Sequence, residues 1–360
     1  MLRSDSFTWR EKREIFRLGR AIRAQDDSQQ HLERLTVEEW LTVLGQSEKL
    51  RRNFWDLLSI AALNEDPRRA AAALFKRVLR LALFTSPEDS RLVIPCVGLS
   101  ECYTEAAASY ITVRGGSVEL NRNVSTLLVG GGPKGSPTRV SSGRGGLRPP
   151  AGAQRAPIAE AGVCTGVQLA DGERIEAGSV VSAVPWFELI KLLPADLLRS
   201  ELYFTNILAL RPAPIISINL WFDRAITDLD FVGLRGTTVQ WLFNTGKIHG
   251  SGDNHVTLVL SGAHAHVGRP KDELLADALR ELGGLLPTVR AAKLVHSLVV
   301  KERFATFSPG VGVETVRPAA RTPVRNLYLA GDWTATGLPA TIEGAVRSGY
   351  AAAQAILEAD

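Results

Sequence analysis

The sequence predicts an α/β unit combined with an α+β unit and preceded by a helical module. Three observations predict it: helical spacing of apolar residues as far as Pro87, short strand-like runs between turn residues from Arg91 onward, and a C-terminal strand–Gly-Asp–helix stretch, "NLYLAGDWTATGLPATIEGAVRSGYAAAQAIL". With 360 residues and 45% apolar content the chain can bury a large core, and its length suits two domains better than one.

The helical module comes first. Thr36 stands three residues before Glu39, the spacing of a capping box, and Trp40, Leu41 and Leu44 then share one helix face. Trp40, Phe54 and Trp55 are read as core, because helical spacing alone explains them. "AAALFKRVLRLALF" is apolar enough to attract attention, but Lys76, Arg77 and Arg80 make it an amphipathic helix and not a membrane span. The N-terminus has no apolar run of the signal-peptide kind.

From Arg91 a strand or turn is expected, then a helix over Glu101 to Tyr110, the turn Arg114-Gly115-Gly116, and alternating strand residues Val118, Leu120 and Val124. "LLVGGGPKGSPT" contains a literal G-x-G-x-x-G at Gly130, Gly132 and Gly135. A phosphate loop needs a helix directly after it, whose N-terminal N–H groups hold the pyrophosphate. Pro137, Pro149, Pro150 and many glycines follow instead, and no acidic residue ends a second strand about twenty residues on. Residues 130–162 are therefore read as a solvated Gly/Pro-rich loop. Short strands follow, with Asp171-Gly172 as a hairpin turn and Val180 to Val184 as a buried strand ending at Pro185.

Between Trp186 and Lys301, strands ("PIISINLWFD", "NHVTLVLSG") alternate with a helix ("KDELLADALRELGGLLP"), an α+β pattern. His264 and His266 in "GAHAHVG" would share a strand face and invite a metal reading, but no third ligand stands out, so no metal is expected. Cys96, Cys102 and Cys164 form no C-x-x-C pair, which fits reduced thiols and a cytoplasmic setting. The net charge of +4 is spread along the chain and gives no support to a nucleic-acid partner. It does leave room for peripheral contact with an anionic membrane surface, to which Arg13, Arg17 and Arg20 could contribute.

The last sixty residues say most. A short apolar strand, Asn326 to Ala330, delivers Gly331-Asp332; Pro339 precedes the first helical turn; the helix runs to Leu357. Gly344, Ala345, Ser348, Gly349 and Ala352 recur along it with almost no side-chain bulk, so close packing is expected there. A carboxylate beside a helix N-terminus suits a polar cofactor: the carboxylate accepts hydroxyl hydrogen bonds and the helix end favours negative charge.

This C-terminus resembles that of the FAD-dependent amine oxidase and phytoene desaturase superfamily, most closely the squalene-associated desaturases understood as hydroxysqualene dehydroxylases of hopanoid biosynthesis. "TVEEWL", "FWDLLSIAALNEDP", "PCVGLSE", "YITVRGGSVELNRNV", "VVSAVP" and "RFATFSPG" follow the family's order, so the resemblance covers nearly the whole chain. It implies FAD as cofactor and a long apolar isoprenoid as substrate, with other squalene-pathway enzymes as partners. It places the ribityl or pyrophosphate part of FAD on Gly331 and Asp332. The flavin edge would face Pro339, Ala340, Thr341 and Ile342, and adenine the backbone of Val124. It identifies no catalytic acid; Glu343 is a candidate by position only.

Members of that family open with a βαβ unit bearing G-x-G-x-x-G, whereas this sequence opens inside the helical module. The expected fold is thus an FAD-binding Rossmann-like (GR2-type) domain lacking its first βαβ unit, with a helical and mixed-sheet substrate domain. The segments are 1–90 (helical part of the substrate domain), 91–185 (FAD domain), 186–300 (α+β substrate domain) and 301–360 (C-terminal FAD-binding segment). The implied activity is reductive removal of a hydroxyl from hydroxysqualene. Two alternatives stay open: a carotenoid desaturase or amine oxidase, and a non-catalytic remnant or partner-completed subunit. A cytoplasmic location, peripheral to the inner membrane, fits the first reading.

Overall fold

The computed structural model describes residues 7–23, 32–86, 88–130 and 161–359. The expectations for Gly132, Gly135 and the Gly/Pro-rich stretch through residue 160 lie outside these residues. The helices are α1 (Trp9–Arg23), α2 (Val37–Val43), α3 (Asp56–Leu63), α4 (Ala72–Phe84) and α5 (Glu105–Thr112). Strands β1 (Val124–Gly130), β2 (Val163–Leu169), β3 (Arg174–Glu176) and β4 (Val180–Ser182) follow, with α6 (Trp186–Leu192). Then come β5 (Pro212–Phe222), β6 (Phe231–Gly233), β7 (Trp241–Phe243), β8 (His255–Leu260), α7 (Lys271–Leu285) and β9 (Leu294–Phe307). The chain closes with β10 (Leu327–Leu329) and α8 (Ile342–Leu357).

Two compact units result. The first takes residues 1–119, 211–315 and 338–340 and holds the helical module and an antiparallel sheet of order β6-β7-β8-β5-β9. Strand β5 shows strict alternation: Ile216, Ile218, Leu220 and Phe222 are buried against Leu274, Ala278 and Leu282 of α7. The opposite face of this sheet carries Phe231, Trp241 and Phe243, with ring centroids 6.2–6.4 Å apart. Gly233 on that face lies against α3: a Cβ there would stand 2.7 Å from the Leu57 side chain.

Helix α2 begins as its spacing predicts: the Thr36 hydroxyl accepts from the Glu39 N–H, and the Glu39 carboxylate accepts from the Thr36 N–H. Asn64 ends α3 in the left-handed region (φ 53°), where asparagine is tolerated. Its amide donates to the Ala213 carbonyl (3.1 Å) and Thr306 (2.8 Å) and accepts from the Gly262 N–H (2.7 Å). The next residue, Glu65, is fully buried; its carboxylate binds His264 Nε2 at 3.0 Å and the Ser308 hydroxyl. These bonds fix the helical module to β5, β9 and the turn after β8.

That turn corrects one expectation. His264 and His266 lie beyond the end of β8, not on a strand face, and His264 is committed to Glu65. No group of three or more metal-ligating side chains occurs among the described residues. A second correction concerns Val118 and Leu120, which are exposed and outside any strand; β1 starts only at Val124. Arg91 to Val97 also form no strand, since no neighbouring strand pairs with them.

The second unit spans residues 120–210, 316–337 and 341–360. It contains the antiparallel sheet β1-β2-β3, with the expected turn at Asp171-Gly172, and a parallel pair, β4 and β10. Among the described residues no helix is long and apolar enough to cross a membrane.

Candidate flavin-binding site

The second unit builds its site from β10 outward. Leu327, Tyr328 and Leu329 are buried, and β10 runs parallel to β4 with the Ala330 N–H on the Ser182 carbonyl at 2.9 Å. The strand ends at Gly331, whose φ of 138° disfavours any side chain; a Cβ there would lie 2.4 Å from Trp333 Nε1. The backbone therefore turns sharply over an indole.

Three side chains hold this turn. Trp333 is buried and donates its indole N–H to the Val184 carbonyl at 3.1 Å. Arg317, 5% exposed, donates to the carbonyls of Asp332 (2.8 Å) and Trp333 (3.3 Å) and to the Thr336 hydroxyl (3.0 Å). Ser348 of α8 accepts the Gly331 N–H at 2.7 Å. None of these three roles was assigned from the sequence. Ser348 was noted only as small, and a lone arginine sixteen residues before Trp333 gives no local signal.

Asp332 is half-buried. Burial raises its carboxyl above the ordinary aspartate value, opposed by the Arg317 charge and by hydrogen bonding from the Trp333 backbone. A carboxylate in this position gains from hydroxyl donors, which supply hydrogen bonds that burial has removed. Beside β10, the buried Ser182 hydroxyl has no hydrogen-bond partner among the described residues.

Helix α8 starts at the cap Thr341, whose hydroxyl accepts the Gly344 N–H at 3.0 Å. The Ala345 N–H bonds the Thr341 carbonyl, so the backbone N–H groups of Ile342 and Glu343 remain as the helix-end donors. The expected small-residue face is confirmed only in part. Gly344, Ser348 and Ala352 are buried, with Tyr328 and Ala330 packed on Ala352 and Ala355. Ala345 and Gly349 are exposed, because the helix turns them away from β10. Glu343 forms an i,i+4 ion pair with Arg347 at 2.6 Å on the exposed side, the ordinary role of a first-turn acid.

Of the residues singled out in the sequence, Gly331, Asp332, Thr341 and Ile342 fall in this unit. Val124 opens β1 of its other sheet and is 37% exposed. Pro339 and Ala340 are grouped with the first unit.

The strand that ends in Gly-Asp, the capped helix with two open N–H groups and the half-buried carboxylate bring donors and an acceptor into one unit. The family model for flavin containing amine oxidoreductases matches residues 6–357. The chain belongs to this family. Its cofactor is FAD; the half-buried Asp332 carboxyl and the open N–H groups at the start of α8 offer an acceptor and donors of the kind a polar group needs.

Among its relatives, a hydroxysqualene dehydroxylase of Rhodopseudomonas palustris is 31% identical over 307 residues, 84% of this chain and 61% of that protein. A 15-cis-phytoene desaturase of Synechococcus elongatus is 25% identical over 366 aligned positions, 98% of this chain and 71% of that one. An oxidoreductase from Methanosarcina mazei superposes with a TM-score of 0.69 at 14% identity, over 98% of this chain and 74% of that chain. A redesigned putrescine oxidase superposes at 0.66 and 16%, over 99% and 77%. The flavin amine oxidase fold, with mixed helix and sheet, is thus the fold of this protein, and the chain spans about three-fifths of the first of these relatives.

Proposed function

We propose that this chain carries most of an FAD-dependent oxidoreductase that removes the hydroxyl of hydroxysqualene to give squalene. The observation that carries the reading is the 31% identity to a hydroxysqualene dehydroxylase, sustained over 84% of the chain. In this reading the Asp332 carboxylate accepts hydroxyl bonds from the sugar part of FAD, and Gly331 permits close backbone approach. Pro339 and Ala340 lead into Thr341 and Ile342 at the flavin's pyrimidine edge, and the Val124 backbone faces adenine.

Reduced FAD supplies the hydride in this chemistry. The rest of the reaction breaks the C–O bond and releases water with one proton, so that alcohol, hydride and proton become hydrocarbon and water. The protein's part is to hold an apolar chain away from water. Phe231, Trp241 and Phe243 on the sheet face beneath α3 offer a wall of that kind. The buried indole N–H of Trp241 has no hydrogen-bond partner among the described residues and can donate to the hydroxyl of a bound alcohol.

A carotenoid desaturase is the second reading, favoured by the phytoene desaturase alignment that spans 98% of the chain. The two differ in redox direction, and one experiment separates them. The chain is fused to the part of the R. palustris dehydroxylase that it does not span, loaded with FAD and incubated anaerobically with a reductant and hydroxysqualene. Squalene by mass spectrometry is the expected product. Bound, reducible flavin with no squalene, together with conjugated products from phytoene under oxidising conditions, would move the assignment to the desaturases.

A further inference from the structure

Helix α1 buries Ile15, Leu18 and Ile22 together with both of its acidic residues. Its two acidic side chains point inward: Glu11 is 7% and Glu14 4% exposed. Both are satisfied there. Glu11 binds Lys49 at 2.9 Å and the Thr8 N–H at 2.7 Å, which hold its carboxyl down to about 2. Glu14 accepts the Ser47 N–H at 2.9 Å and pairs with Arg10 at 3.3 Å. Its two aromatic side chains point outward instead, with Trp9 82% and Phe16 57% exposed.

The outward residues are spaced for one face. Trp9, Arg13, Phe16 and Arg20 follow at intervals of four, three and four, a single line along the helix. Lys12, with its ammonium 5.4 Å from the Trp9 ring, and Arg17 flank that line and complete a shallow groove. The face therefore combines a bulky aromatic pair with four cations, and both acids of the helix are turned away from it.

We propose that this face of α1 docks on an anionic lipid bilayer, with the helix lying in the membrane plane. Trp and Phe side chains gain by entering the boundary between headgroups and acyl chains, and the arginines and lysine gain from acidic headgroups beside it. A second copy of the chain is a poor occupant, because it would bring four cations against four cations. A nucleic acid or acidic protein would satisfy the charges but leave Trp9 and Phe16 without an apolar medium. The inference goes beyond the proposed reaction and is measured without flavin or substrate, so the failure of either leaves the other standing.

The test is cosedimentation of the purified protein with phosphatidylcholine vesicles, with and without phosphatidylglycerol. Binding is expected only with the anionic lipid, and it should weaken as salt is raised. Arg13→Gln with Arg20→Gln should weaken it about 25-fold, roughly fivefold for each cation removed. Trp9→Ser with Phe16→Ser should weaken it about tenfold at unchanged charge. The same loss of two charges at Arg174 and Arg199 should leave it as it was. All four α1 side chains are exposed, so circular dichroism and Tm should not move. Equal binding to both kinds of vesicle, binding by either α1 double variant at the parent's strength, or weakening equal to that of the Arg13 and Arg20 variant when Arg174 and Arg199 are changed would overturn the proposal.

Discussion

The backbone N–H of Gly331 donates to the hydroxyl of Ser348 at 2.7 Å, and that hydroxyl donates in turn to the Ala345 carbonyl at 2.6 Å. One side chain thus ties the end of β10 to the first turns of α8, the two elements that bring Asp332 and Thr341 into one unit. Ser348 is 1% exposed, so water cannot replace it. Ser348→Ala should cost about 1–3 kcal/mol, the penalty of a buried donor left without an acceptor. Thermal unfolding checks this; a Tm equal to the parent's would mean that the turn holds without the bond.

Gly331→Ala should be worse. The substitution adds an unfavourable backbone conformation, about 1–3 kcal/mol by itself, to a Cβ placed 2.4 Å from the Trp333 indole nitrogen. A Tm drop larger than that of Ser348→Ala is expected. A variant as stable as the parent would show that the indole moves aside freely.

The difference between these two residues explains how much the sequence disclosed. Gly331-Asp332 was legible because a strand ending in a glycine and an acid before a helix is a local pattern. The capping box at Thr36 and Glu39 and the alternation along β5 were legible for the same reason. Arg317 and Ser348 were not, since the bonds that hold the turn run to backbone groups of Asp332, Trp333 and Gly331, 15 to 17 residues away, and any small or basic residue would look the same in sequence. Ala345 and Gly349 misled, because lack of bulk permits close packing without requiring it. The Glu65, His264 and Ser308 cluster was invisible for a third reason: its members are 199 and 243 residues from Glu65, and only the fold brings them together.

Asp332→Asn separates stability from cofactor binding. Burial raises the Asp332 carboxyl, so its contribution to stability is fully present below the unfolded aspartate value and is lost as pH rises through the folded one. The flavin-free Asn variant should therefore be at least as stable as the parent at pH 7, with any difference shrinking below pH about 4 as the carboxylate protonates. FAD affinity, measured in the flavin-binding fusion, should fall by about 1.5–3 kcal/mol, the worth of hydrogen bonds to a charged acceptor. An unchanged flavin Kd would return Asp332 to the role of a turn residue.

Glu65→Leu should be among the most damaging single changes in the first unit. The carboxylate is wholly buried, and its removal leaves His264 and the Ser308 hydroxyl without their common acceptor. A cost of about 3 kcal/mol or more is expected from breaking such a buried polar cluster. Denaturant unfolding measures it, and Glu65→Gln, which keeps an acceptor oxygen, should recover part of the loss. Equal stability of Leu and Gln variants would show that packing, not hydrogen bonding, governs the site.

Trp241→Phe tests what the aromatic sheet face recognises. The ring packs beside Gly233, which also neighbours Leu57, and an indole N–H without an acceptor is costly in an apolar setting unless something supplies one. If that something is the hydroxyl of a long isoprenoid alcohol, the variant keeps the hydrophobic wall and loses only the donor. Binding of the alcohol should weaken by about 0.5–1.5 kcal/mol, a few-fold to tenfold, while binding of the hydrocarbon product stays unchanged. Removing the unpaired donor should also leave the free protein as stable as before, or slightly more so. The readout is the ratio of the two affinities, which cancels any general loosening of the wall. A ratio that does not change on substitution would make Trp241 a packing residue and leave the oxygen to be held elsewhere.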